Sequence, residues 1–209
     1  MAENIELYKE LMEESYIDDT IKDNIQHRYD LHTKCFTPDE CDSALAELSK
    51  FATAPGLVGY EGKHYVDPVL RICDVTYARR NEDNEWIHAR MEQGMLESNA
   101  KLWDFEIADF SQPIRIMSYG AENHFNSVHQ DIGPGQTCYR KLTAILFCSE
   151  PEEYEGGELI IYGSNFDYKE IAKKGNMIVF PAYKEHHVTP ITSGRRNVII
   201  FRAIGPAFR

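Results

Sequence analysis

Two short stretches carry side chains able to do metal chemistry. His129-Gln130-Asp131 places an imidazole and a carboxylate two residues apart, and His186-His187 adds a second imidazole about 57 residues further on. In an extended chain residues i and i+2 share a face, so His129 and Asp131 can reach one ion. Two imidazoles and one carboxylate on one side of a divalent transition metal leave positions open for other molecules. Neighbouring side chains on a strand point to opposite faces, so only one of His186 and His187 can join them. Ten residues after His186, Arg195-Arg196 opens an apolar run. A guanidinium is a rigid, always-charged fork that binds a carboxylate through two hydrogen bonds. The pattern therefore points to a metal with an acid-bearing small molecule beside it.

Such groups need a scaffold. From about residue 113 the chain reads as short β-rich runs, Ile114 to Met117, Leu142 to Cys148, Glu158 to Tyr162, Met177 to Phe180 and Val198 to Ala203. They are broken at Gly120, Gly133-Pro134-Gly135, Gly156-Gly157, Gly175-Asn176 and Ser193-Gly194, at intervals that suit a sandwich or jelly roll and are too short for crossover helices. Helices are expected upstream. Thr37-Pro38-Asp39-Glu40 has a capping threonine, proline at the first helical position and glutamate three residues after the cap, with Ala44, Leu45 and Leu48 facing the core. A second helix, roughly 84 to 103, is suggested by Trp86, Ile87, Met91, Met95, Leu96 and Leu102. Ile5, Leu7, Leu11, Met12 and Tyr16 suggest an amphipathic helix in an acidic arm covering residues 1–34, ahead of a domain at 35–209. The expected class is α+β, mainly β, with N-terminal helices flanking the sheet.

Composition narrows the partners. The chain has 209 residues, 43% hydrophobic, which suffices for one sizeable core. A net charge of −12 and only local basic pairs, Arg79-Arg80 and Arg195-Arg196, argue against nucleic acid. No apolar stretch is long enough for a membrane helix, and the acidic start of the chain is unlike a secretory signal, so a cytoplasmic protein without a membrane partner is expected. Five cysteines without a CxxC pair are read as free thiols and not as a zinc cluster.

Tyr119 before His129-x-Asp131, Arg140-Lys141-Leu142-Thr143, Tyr154-Glu155-Gly156-Gly157-Glu158-Leu159, Val179-Phe180-Pro181, His186 with Val188-Thr189-Pro190, and the ending Gly205-Pro206-Ala207-Phe208-Arg209 resemble the Fe(II)/2-oxoglutarate-dependent oxygenase superfamily, in particular its prolyl 4-hydroxylase-like group of bacterial and phage type. The resemblance covers most of the chain from about residue 35. It implies a double-stranded β-helix, or jelly roll, with Fe(II), 2-oxoglutarate and O2 as cofactors and ascorbate as an in vitro reductant. It implies His129, Asp131 and His186 as iron ligands and as the catalytic centre, His186 being four residues before Pro190. The same register implies Arg196 on the distal carboxylate of 2-oxoglutarate and Tyr119 as a hydroxyl donor to it; His187 and Arg195 are the register-shifted alternatives.

The implied activity is hydroxylation of an unactivated C–H, foremost of a prolyl residue in a peptide or protein, with release of succinate and CO2. A free amino acid or other small molecule is the alternative substrate, and a non-catalytic metal-binding jelly roll is the alternative class. Because Asp131 fills the carboxylate position, the halogenating variant of the family is not expected. There are departures. Close bacterial relatives usually carry Trp six residues after the arginine, where this chain has Arg202. Facing inward, Arg202 would bind an acidic group on the substrate; facing outward, it would be a solvated edge residue. Phe147 stands where some members have a polar group, implying a smaller network around the co-substrate. Arg71, Asp74 and Tyr77 stand where the family carries a strand covering the site.

Overall fold

The computed structural model describes residues 29–60 and 63–208, so the helix expected in the first arm lies outside the described residues. The N-terminal elements are β1 (Asp30–His32), α1 (Pro38–Leu48), β2 (Thr53–Pro55), β3 (Val58–Tyr60), β4 (Lys63–Tyr65), β5 (Asp74–Ala78) and α2 (Glu85–Leu102). After them come β6 (Ile114–Tyr119), β7 (Phe125–His129), a 3-10 turn (Gly135–Tyr139), β8 (Arg140–Phe147), β9 (Tyr154–Gly156) and β10 (Leu159–Ile161). The chain ends with α3 (Tyr168–Ile171), β11 (Met177–Pro181), β12 (His186–Val188), β13 (Ile191–Gly194) and β14 (Arg196–Ile204). Thus the second half is not purely β: the single turn of α3 interrupts it.

A seven-stranded sheet in the order β1-β11-β8-β14-β6-β5-β2 is antiparallel throughout. Its two faces are both apolar and bury different things. Ile199, Phe201 and Ala203 of β14, with Leu142, Ala144 and Leu146 of β8, pack with Ala44 and Leu48 of α1 and Ile87, Met91 and Met95 of α2. The residues between them, Val198 and Ile200, Ile145 and Phe147, Ile178 and Phe180, pack on the opposite face with Leu159, Ile161, Val188 and Ile191 of the smaller sheets β10-β12-β7 and β13-β9. The period of two along each strand thus sorts one helix-facing core from one inner core.

The capping box at α1 forms in full: Thr37 Oγ1 accepts from the Glu40 amide at 3.2 Å, and Glu40 accepts from the Thr37 amide at 2.8 Å. Along α2, Ile87, Met91, Met95 and Leu102 are buried as the spacing predicts, but Leu96 is 47% exposed because it falls one step off their stripe. All five cysteines are free. Among the described residues no helix is long and apolar enough to cross a membrane.

Candidate active site

Antiparallel pairing brings the distant histidines together. Residues directly opposite on neighbouring strands carry their side chains on the same face. In the pairing of β12 with β7, His186 lies opposite His129, and their ring centroids are 4.3 Å apart. Asp131 follows the end of β7, where its amide donates to the Ala182 carbonyl at 2.8 Å. One ligand atom from each of His129, Asp131 and His186 lies within 4.8 Å of the others, a grouping able to hold a metal ion.

The second contacts of each residue prepare it for that task. Nδ1 of His129 is 2.9 Å from the Ser127 carbonyl, and Nδ1 of His186 is 2.9 Å from the Lys184 carbonyl. A carbonyl only accepts, so each Nδ1 carries a proton and each Nε2 is the nitrogen left to face a metal. Burial first, and the neighbouring His186 second, push the His129 pKa down to about 4, which keeps the ring neutral. Burial by itself would raise the pKa of Asp131; the Arg202 guanidinium outweighs it and holds the carboxyl well below the usual range. Arg202 Nη2 donates to Asp131 Oδ1 at 2.7 Å, and the Thr143 hydroxyl donates to Oδ2 at 2.5 Å. Arg202 therefore faces inward, but its partner is a site carboxylate of the protein itself.

His187 points elsewhere: it is half-buried, with its ring 5.7 Å from that of Tyr162. The arginines are sorted in the same way. Arg195 is exposed and donates to Ser118 Oγ at 2.9 Å, whereas Arg196 is 1% exposed. Arg196 lies opposite Tyr119 in the pairing of β14 with β6, and its guanidinium carbon is 5.5 Å from the Tyr119 ring centroid and 5.9 Å from that of Phe147. Tyr119 is also buried, and burial raises its phenol pKa; its hydroxyl lies 3.4 Å from the Met117 sulfur.

The group that holds Arg196 was not among the sequence candidates. Arg196 Nε donates to Tyr168 Oη at 3.0 Å; Tyr168 donates to the Gly157 carbonyl at 3.0 Å, and the Tyr154 hydroxyl lies 2.8 Å from that of Tyr168. Since the carbonyl takes the Tyr168 proton, the Tyr154 proton points to Tyr168. Tyr168 sits on the short turn of α3, to which no periodic signal leads. Gly157 is there for space as well as conformation. At φ 63° a side chain is strained, and a Cβ would come within 2.2 Å of Ile191 Cδ1 and 3.1 Å of Arg196 Cδ.

The three residues named for the outer wall differ in their surroundings. Arg71 is buried; it donates to the Leu57 carbonyl at 2.9 Å and lies 4.7 Å over the Phe125 ring, which stacks on His129 with centroids 3.8 Å apart. Asp74 and Tyr77 of β5 are exposed.

A sequence model of the 2OG-Fe(II) oxygenase superfamily matches residues 114–201, the stretch that carries Tyr119, His129, Asp131, Tyr168, His186 and Arg196. A PKHD-type hydroxylase of Acinetobacter baumannii is 40% identical over 173 aligned residues, covering 66% of this chain and 76% of that protein. The chain belongs to the PKHD-type hydroxylases of this superfamily. The match to a PKHD-type hydroxylase of Caulobacter vibrioides, 37% identical over 76 residues, spans 36% of this chain and about a third (34%) of that relative. Solved structures share the fold at low identity. A Pseudomonas putida prolyl-4-hydroxylase superimposes with a TM-score of 0.66 at 18% identity, covering 90% of this chain and 98% of that one. A Trichoplax adhaerens prolyl hydroxylase in complex with a hypoxia inducible factor peptide fragment gives 0.68 at 11% identity, covering 88% and 87%.

Proposed function

We propose that this PKHD-type chain is an Fe(II)- and 2-oxoglutarate-dependent hydroxylase acting on an unactivated C–H, foremost of a prolyl residue in a peptide or protein, within a double-stranded β-helix domain at 35–209. The observation that carries the reading is Arg196. Its guanidinium is buried without a carboxylate partner among the described residues, and its Nη2 atom has no hydrogen-bond partner. A buried cation without a counter-charge is costly. A dicarboxylate that reaches from the His129, Asp131 and His186 cluster would supply that charge, so the residues fit both a metal and a 2-oxo acid.

Fe(II) held by those three residues would supply a Lewis-acidic centre whose open positions admit O2 and the 2-oxo acid together. His129 and His186 would present Nε2 to it, their rings held through Nδ1 by the Ser127 and Lys184 carbonyls. Asp131 stays ionised under Arg202, and Thr143 fixes its second oxygen. Arg196, oriented by Tyr168, takes the far carboxylate of 2-oxoglutarate, with Tyr119 beside it. Phe147, Phe180, Val188 and Ile200 line the inner core and exclude water, which strengthens each of these contacts.

The test is succinate formation by purified protein with Fe(II), ascorbate and 2-oxoglutarate, with and without proline-containing peptides and free amino acids. Succinate rising with a peptide that gains about 16 mass units, the mass of one oxygen, supports the reading. No succinate under any condition, despite bound iron, replaces it with the metal-binding module. The prolyl hydroxylase neighbours support a peptide or protein substrate. A cytoplasmic location without membrane or nucleic-acid partner belongs to the same reading.

A further inference from the structure

The inner face of the large sheet carries positive charge at two separate places. One is Arg196 with Tyr119. The other lies at the opposite end of the same strands, where Arg115 of β6, Arg202 of β14 and Arg140 at the start of β8 gather around Asp131. Arg115 is four residues from Tyr119 on one strand, roughly 13 Å, so the second place is distinct from the clamp. Among the described residues only Arg202 of the three arginines is ion-paired, with Asp131 at 2.7 Å. Arg140 donates to neutral oxygens, the Asp131 carbonyl at 2.9 Å and Gln112 Oε1 at 3.0 Å. Arg115 lies 5.1 Å over the Tyr77 ring, and its buried Nε has no hydrogen-bond partner.

This is an inversion of the chain as a whole, which has 34 acidic residues against 22 basic ones and yet gives Arg115 no ion-paired carboxylate among the described residues, the Asp131 charge acting on it from beyond salt-bridge distance. Burial first, and then the charges of Arg202 and Arg140, push the Arg115 pKa down to about 9. Arg115 lies against the ring of Tyr77, which is 40% exposed and borders solvent. It also lies close to the candidate metal site. Arg115 is opposite Ile200, and so diagonal to Arg202, whose partner Asp131 belongs to that site. Diagonal positions on one face are roughly 7–8 Å apart, within reach of a long side chain.

We infer that the substrate carries a carboxylate next to the carbon that is oxidised, and that Arg115 is the residue that receives it. The inference rests on the hydroxylase reading for calling the bound molecule a substrate. One guanidinium fork matches one carboxylate, and the anion relieves the repulsion among the three arginines. The carboxylate is either an acidic side chain flanking a peptidyl proline or the α-carboxylate of a free amino acid.

Calorimetric titration of the full chain with four probes separates these sources without depending on turnover. The probes are a prolyl peptide with Asp on both sides of the proline, its Asn counterpart, free L-proline and L-prolinamide. Hydrogen bonds to a charged group are each worth about 1.5–3 kcal/mol, so one acid should bind roughly 10- to 100-fold more tightly than its amide. Preference within the peptide pair assigns the carboxylate to a flanking side chain, and preference within the proline pair to the amino acid itself; either supports the inference. Arg115→Gln should bring the ratio to near one, while Arg195→Gln leaves it intact. Should Arg115→Gln fail to fold, Arg115→Lys carries the test, since it keeps the charge, loses the fork and should cut the ratio several-fold. No discrimination by the wild type in either pair, or discrimination that survives both Arg115 variants, overturns it. Acid discrimination without any 2-oxoglutarate turnover would overturn the hydroxylase reading and leave the carboxylate site; turnover without discrimination would do the reverse.

Discussion

Arg202→Met offers a direct measurement of how the protein prepares its carboxylate. Arg202 and Asp131 are both nearly inaccessible, with side chains 6% exposed, and their 2.7 Å contact is the charge that keeps Asp131 ionised. Methionine is of similar length and apolar, so it fills the space while leaving a buried carboxylate whose remaining donor is Thr143 at 2.5 Å. Removing one partner of a buried pair costs about 3–5 kcal/mol, because the other charge is left without compensation. For a domain of this size each kcal/mol lowers Tm by about 2–4 °C, so the variant should melt roughly 6–20 °C below wild type in the presence of a chelator. Circular dichroism melts read this directly. Mn(II) or Zn(II) should narrow the gap between the two proteins, since a divalent cation among His129, Asp131 and His186 restores a counter-charge to the carboxylate. Combining Arg202→Met with Asp131→Asn should be less damaging than the sum of the single changes by about 1–3 kcal/mol, since neither charge then remains. A chelated Arg202→Met protein melting within about 2 °C of wild type, or strictly additive single changes, would refute the argument that Arg202 acts by neutralising Asp131.

Three further outcomes follow from the same contacts. His186→Ala should abolish stoichiometric binding of Fe(II) or Mn(II) and succinate formation, while His187→Ala, whose ring stands beside Tyr162, should keep most of both; equal losses would contradict the register of β12. Arg196→Ala should raise the KM for 2-oxoglutarate at least 100-fold against less than about threefold for Arg195→Ala, and Tyr168→Phe, which removes a hydroxyl 3.0 Å from Arg196 Nε, should raise it roughly 5- to 10-fold, as titrations of initial succinate rate would show. His88 is buried with Nδ1 donating to the Asn84 carbonyl and Nε2 without a partner, and burial lowers its pKa. Below the unfolded pKa of about 6.5 the unfolded state therefore binds the extra proton and stability falls with pH; His88→Gln should flatten that part of a Tm against pH curve between about pH 6.5 and 5, and an unchanged slope would exclude His88 as its source.

His129-x-Asp131 and the pairs His186-His187 and Arg195-Arg196 come from local spacing, which is what a single chain expresses, whereas Tyr119 comes from the family resemblance. His129-x-Asp131 needs only an extended backbone, and the Thr37 to Glu40 box and the α2 stripe need only neighbours three and four residues away. The choice of His186 over His187 and of Arg196 over Arg195 comes from a family register; in the fold, cross-strand pairing sets His186 opposite His129 and Arg196 opposite Tyr119. The orientation of Arg202 illustrates the limit. Being six residues after Arg196, it shares that residue's face by the period of two. The run between them is apolar at Val198, Ile199, Ile200 and Phe201 alike, because the sheet is covered on both sides, so no alternation tells which face is inner. Nor does the sequence show that the partner of Arg202 is Asp131, 71 residues away, or that Tyr168 on one helical turn orients Arg196. Those partners are set by which strands lie side by side and at what register. Residue types and spacing thus determined the chemistry available to this protein; the tertiary structure alone decided which charges are ion-paired inside it and that, among the described residues, Arg196 and Arg115 are not, because burial and pairing depend on segments far apart in the chain.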